Sequence, residues 1–221
     1  MKRILLASCF LIAFGFCSSA LALNYSATLT ADNHYALYYG DESGVSFVGR
    51  NELGSAGAPG TYNWSMAETW QLVDVDVKDY IYVAAWSDDA VAQGWIGQFV
   101  SGADTILSDT SWEVFLTTGN NLGDNSPAPS EAALLTQIQA ASWELVDDYI
   151  NHGDGPWGMI DDISPSADWI WGSDLQPGSG TGEYQIFRTQ VAPVPEPATL
   201  LLFGTGLIGL AGLGRRKLIK K

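Results

Sequence analysis

Cysteine is missing from everything beyond residue 17: Cys9 and Cys17 both fall in an N-terminal apolar run. The rest of the chain therefore has no disulfide, no thiolate metal site and no cysteine nucleophile. Histidine is nearly as scarce, with His34 and His152 alone. A zinc site would have to lean on carboxylates, and no ligand spacing of that kind is present. A Ser-His-Asp hydrolase lacks its Gly-x-Ser-x-Gly turn, and nucleotide chemistry lacks a phosphate-cradling Gly-Lys loop. Basic residues are few where most of the chain lies. Only Arg50, Lys78 and Arg188 stand between Leu23 and Val194, against 24 of the 25 acids, which leaves that stretch at −21. Such a field repels phosphate backbones and anionic headgroups, which argues against nucleic acid as a partner and in favour of cations. Solubility in an extracytoplasmic fluid accounts for the same charge.

What is present begins with two unusual ends. Met1-Lys2-Arg3 is a short positive region, residues 4–16 are apolar apart from Ser8 and Gly15, and Ala20 and Ala22 frame a small-x-small cleavage pattern. This is a secretory signal peptide, with cleavage expected after Ala22. The apolar run is shorter than the roughly 20 residues a spanning helix needs. Cys17 follows Phe16, where lipoprotein signals carry a small residue, so lipidation is not expected. At the other end, Pro195, Glu196 and Pro197 precede an apolar, glycine-rich stretch at 198–213, and Arg215, Arg216 and Lys217 follow. The two prolines keep the strip out of helix and extended enough for a protease to bind. The stretch is just long enough to span a bilayer, and the basic cluster holds its end on the cytoplasmic side.

This ordered triple resembles the PEP-CTERM protein-sorting signal. The resemblance covers about residues 194–221. It implies an exosortase-type membrane protease as partner, transient residence in the inner membrane, and delivery to the cell surface or an exopolysaccharide-rich biofilm matrix. The chain then divides into a signal peptide (1–22), an extracytoplasmic domain (23–190), a linker with the Pro-Glu-Pro motif (191–197), a transmembrane sorting helix (198–214) and a basic cytoplasmic tail (215–221). The roughly 170 central residues suffice for one core.

Short runs with period-two alternation dominate that centre. Val73, Val75 and Val77 alternate with Asp74 and Asp76, and Trp112, Val114 and Leu116 alternate with Glu113 and Phe115; each predicts a half-buried strand. The run Tyr80 to Trp86 is almost wholly apolar and predicts a central strand covered on both faces. Further strands are expected at 25–30, 34–39, 45–48, 95–100, 169–171 and 183–188, separated by Gly/Asn/Asp turns. The fold class is all-β, a β-sandwich or jelly roll. One amphipathic helix is inserted at 130–152, carried by Leu134, Ile138, Ala141, Leu145 and Tyr149, with Ser130 as N-cap and Gly153 as its stop. The stretch from Thr30 to Gly40 and the later run from Asp79 to Trp86 are similar to galactose-binding-like jelly rolls, a resemblance that concerns fold.

Two kinds of binding residue stand out. Trp86, Trp95 and Trp112 fall in strands and belong to a core, whereas Trp157, Trp169 and Trp171 lie in a Gly/Pro/Asp-rich stretch and are the candidates for an exposed sugar-stacking platform. Acidic pairs recur, and Asp88 and Asp89, directly after a strand, are the candidate calcium ligands, oxygen donors of the hard type that ion takes. No other cofactor is indicated. Paired carboxylates with tryptophans could also serve a glycoside hydrolase, but chance pairing is expected among so many acids. The expected role is therefore a non-enzymatic, surface- or matrix-targeted protein that contacts polysaccharide or calcium, with a secreted glycan-active enzyme as the alternative.

Overall fold

The computed structural model describes residues 23–51, 64–87, 92–123, 126–172 and 184–191. Their twelve strands form two six-stranded antiparallel sheets facing each other. The first sheet runs β10 (Asp148–Asn151), β11 (Asp168–Trp171), β6 (Gly94–Ser101), β1 (Leu23–Asp32), β4 (Glu68–Val75), with β7 (Asp104–Leu107) on the far half of β6. The second runs β3 (Gly44–Arg50), β2 (His34–Asp41), β5 (Tyr80–Trp86), β12 (Gln185–Gln190), β8 (Glu113–Leu116), β9 (Glu144–Leu145). The all-β sandwich expected from the alternation is what forms.

Alternation explains the core. On β1, Tyr25, Ala27, Leu29 and Ala31 point between the sheets, and Ile81, Val83 and Ala85 of β5 meet them from the other side. The remaining face of β5, with Tyr82, Ala84 and Trp86, is buried in a second cluster against Leu134 and Ile138 of helix α1 (Glu131–Ala140). β5 is thus covered twice, as its unbroken apolar composition predicts. Along the open side, the edges of β3 and β4 close on each other through Trp70, whose ring lies over Gly49. A Cβ on Gly49 would stand 2.4 Å from that ring, so only glycine admits the contact.

Two expected elements differ. Between Leu23 and Tyr25 of β1 the register slips, so that Val73 and Asp74 together oppose Asn24. Asp74 takes φ 58 and its N–H donates to Asn24 Oδ1 at 3.0 Å. This bulge turns Val73 outward (51% exposed) and interrupts the simple valine face. The helix is also shorter than expected. Ser130 does cap it, accepting from Ala133 N–H at 3.2 Å, but it ends at Ala141. Continuing to 152 would have placed Asp147 and Asp148 near a helix C-terminus with no cation, against the macrodipole. Trp143, Val146, Tyr149 and Ile150 also favour extended backbone. Leu145 and Tyr149 are accordingly exposed on β9 and β10, and the buried residue is Val146, whose N–H donates to the Trp112 carbonyl.

Both described chain ends lie at one end of the sandwich. Leu23 opens β1 opposite Val75, and Val191 follows β12 with its N–H donating to the Asp79 carbonyl at 3.0 Å. The turn at 76–79 joins β4 to β5 and so connects these two positions.

Candidate functional site

The tryptophans in the 153–182 stretch are buried, contrary to the exposure expected of them. Trp157, Trp169 and Trp171 are 4%, 0% and 2% exposed. Trp157 stacks on Trp169 at 4.2 Å, and its Nε1–H donates to Asp32 Oδ2 at 2.8 Å. Trp171 lies against Phe187. Large apolar rings beside glycine and proline are folded back onto β1, β6 and β12 because burial outweighs local turn composition. They are not a sugar platform. Trp86, Trp95 and Trp112 are core as expected.

His152 holds the loop that carries Trp157. Its Nε2 accepts the Ile160 N–H at 2.7 Å and its Nδ1 donates to the Ser164 carbonyl at 2.8 Å. With both nitrogens engaged by backbone, this ring has neither a lone pair for a metal nor a proton to relay. His34 is buried and stacked on Trp86 at 5.2 Å. Asp88 and Asp89 lie outside the described residues, and among the described residues no group of three or more His, Asp or Glu could hold a metal ion.

The described residues do form a groove, of about 580 Å³, lined by Phe47, Arg50 and residues 127–131. Edge strand β3 supplies one wall and the segment entering α1 the other. Pro127 and Pro129 fix that segment as extended. Three long-range contacts hold the walls: the Phe47 N–H donates to Glu131 Oε1 at 2.8 Å, Arg50 Nη1 donates to the Ser126 carbonyl at 2.5 Å, and Tyr38 Oη–H donates to the Pro129 carbonyl at 2.6 Å. Burial pushes the Tyr38 phenol well above its ordinary range, so it stays a donor. Phe47 is 44% exposed and meets the Tyr38 ring edge to face, and the Arg50 guanidinium lies 5.4 Å over the Trp86 ring. The groove combines a half-exposed aromatic ring, a guanidinium and a carboxylate, a set suited to a hydroxylated ligand with an apolar face. Sequence reading missed it because its walls are 76 to 91 residues apart. The scarcity of cations did mark Arg50.

Acids crowd the end that carries Leu23 and Val191. Asp79 has its carboxyl pushed up, first by burial and then by the neighbouring charges of Asp76 and Asp41, although the Asp76 N–H opposes this. An acid whose folded value is raised costs stability when ionised, and that cost disappears as pH falls through the folded value. Asp79→Asn keeps the acceptor for Asp76 N–H without the charge. It is expected to melt above wild type near neutral pH, with the gap closing as the pH is lowered toward ~4. Parallel melting curves at every pH would show that the charge carries no such cost.

The fold and the ends together define an exported β-sandwich followed by a C-terminal sorting segment. Residues 193–217 match the family model of the PEP-CTERM protein-sorting motif. The chain therefore carries the signal of an exported protein that is anchored in the membrane before an exosortase processes it. No curated protein and no solved structure matches the chain. The motif residues Pro195, Glu196, Pro197, Arg215, Arg216 and Lys217, and the signal residues Ala20 and Ala22, lie outside the described residues. Among the described residues no helix is long and apolar enough to cross a membrane.

Proposed function

We propose that this chain is a non-enzymatic module delivered to the cell surface or extracellular matrix, where the sandwich contacts polysaccharide through the groove of Phe47, Arg50 and Glu131. The observation that carries the reading is the sorting motif at 193–217, which marks the folded domain as exported cargo. The groove supports it by offering a stacking face beside hydrogen-bonding groups of both signs. Its size falls in the range of small-ligand sites.

Affinity electrophoresis of the processed protein in neutral and acidic polysaccharide gels tests the proposal. Wild type is expected to be retarded in at least one polymer. Phe47→Ala and Arg50→Ala are each expected to weaken retention by about 1 kcal/mol, roughly fivefold in affinity. Unretarded wild type, or variants held as firmly as wild type, would remove the groove from consideration. Release of reducing ends from the same polymers would replace the binding reading with an enzymatic one.

A further inference from the structure

The sorting segment leaves the folded domain with very little slack. Val191 is fully buried and pinned by the Asp79 carbonyl, and the sorting motif begins two residues later. Seven peptide steps separate Val191 from Ala198, where the apolar stretch begins, and they reach at most ~25 Å in any arrangement. The headgroup layer occupies roughly 5–7 Å of that reach. Before cleavage, then, the near end of the domain stays within about 20 Å of the headgroups, whereas even a 100-residue domain has a radius of gyration of ~13 Å. No second folded domain fits into the gap. Whatever cuts beside Pro195–Pro197 must work against the end of the sandwich from which Val191 emerges.

That end has a definite surface. Val191 leaves beside Asp79 at the start of β5, and β5 lies beside the end of β2, with Gln190 opposite Tyr80 and Tyr80 opposite Gly40. The turns at 41–44 and 76–79 therefore flank the exit. They carry Asp41, Glu42, Asp76 and Asp79 against Lys78, and Glu42 also faces the Arg188 guanidinium, with Nη1 3.5 Å from its Oε1. Asp41 and Glu42 are exposed, and Asp41 is fixed by its own turn, accepting from Ser43 N–H at 2.7 Å. Anionic lipid repels such a rim, and a surface bearing cations receives it.

We infer that this end of the sandwich, the turns at 41–44 and 76–79 around Val191, is a docking face for the membrane protease that removes the sorting segment, received by cationic side chains at that enzyme's mouth. The inference uses the motif and the position of Val191 and is independent of the groove. The tether holds the face at the enzyme, and the charges orient it so that the strip beyond Val191 enters directly.

The test follows conversion of the pulse-labelled full-length chain in a host that makes the protease. The set Asp41→Asn, Glu42→Gln and Asp76→Asn keeps the turn acceptors while removing charge, and is expected to slow conversion several-fold. Asp41→Asn alone, at an exposed position and with the Glu42–Arg188 pair intact, is expected to slow it less but in the same direction. The remote exposed set Asp154→Asn, Asp161→Asn and Asp162→Asn, between β10 and β11 of the other sheet, makes the same change in net charge and is expected to convert at the wild-type rate. Inserting about twelve Gly/Ser residues between Ala192 and Pro193, a coil of ~20 Å, is expected to erase the difference between rim variant and wild type. Unchanged or faster conversion of the rim variants overturns the inference. So does equal slowing by the remote set, or slowing that survives the longer tether.

Discussion

In a host with the sorting protease, replacing Pro195, Glu196 and Pro197 by alanine is expected to take the chain from almost fully processed to almost wholly unprocessed. The wild-type product is expected to begin at Leu23 and to lack residues from about 198 onward. The variant is expected to be exported normally, since its signal peptide is untouched, and to remain in the inner membrane with Arg215, Arg216 and Lys217 attached. The physical reason lies in backbone shape. Proteases bind extended strips, and proline lacks the N–H a helix interior needs and disfavours helix at the residue before it, so the Pro-Glu-Pro sequence favours such a strip. Alanines lift that restriction as far back as Pro193, which the variant retains. The apolar stretch itself survives, so anchoring does too. Intact-mass measurement of membrane and released fractions separates the outcomes, and released variant lacking the tail would sink the claim.

Removing Arg188 is expected to destabilise the domain strongly. This side chain lies between two rings, 4.4 Å from Tyr80 and 4.1 Å from Trp143, while Nε donates to Glu113 Oε2 at 2.7 Å and Nη1 stands 3.5 Å from Glu42 Oε1. It is 9% exposed. Arg188→Ala strands a carboxylate, empties the slot between the rings and leaves Trp143 without its seat. Breaking a buried pair costs roughly 3–5 kcal/mol, and because Glu113 and Glu42 reach solvent the lower end applies, about 3 kcal/mol. That corresponds to a fall of roughly 6–12 °C in Tm. Arg188→Lys keeps the charge but not the plane, and is expected to recover about half. A change under about 2 °C for the alanine variant would mean that the rings and carboxylates repack without the cation.

The parts of this molecule that could be read in sequence are those governed by local pattern. β5 reads as a doubly covered strand because seven consecutive residues from Tyr80 lack a charge, and both of its faces are buried. The N-cap at Ser130 is a local hydrogen bond and reads equally well. The helix end does not, because Leu145 and Tyr149 keep the three-to-four spacing while Val146 is claimed by the Trp112 carbonyl, just before β8. Val73 and Asp74 preserve a perfect alternation that the slip against Asn24 cancels. The same limit explains the tryptophans. Nothing adjacent to Trp157 reveals that Asp32, 125 residues away, accepts its N–H. Trp157 does lie in a loop, whereas Trp169 and Trp171 lie on β11, and all three rings face inward.

The position of β12 has a consequence for the order in which the domain can fold. It is the last of the described strands, yet it sits in the middle of its sheet, pairing with β5 on one side and β8 on the other. During export from the N-terminus, β3, β2 and β5 can assemble early, and β1, β4, β6 and β7 can pair on the opposite layer. The gap between β5 and β8 must wait. Phe187, a core residue, cannot take its place until residue 190 has cleared the translocation channel, and the closing contacts span about a hundred residues, the kind that form slowly. The apolar stretch at 198–213 follows at once. Closure of the sandwich and arrival of the anchor are thus coupled in time, so the half-built sheet waits for its last strand on a chain already held at the membrane.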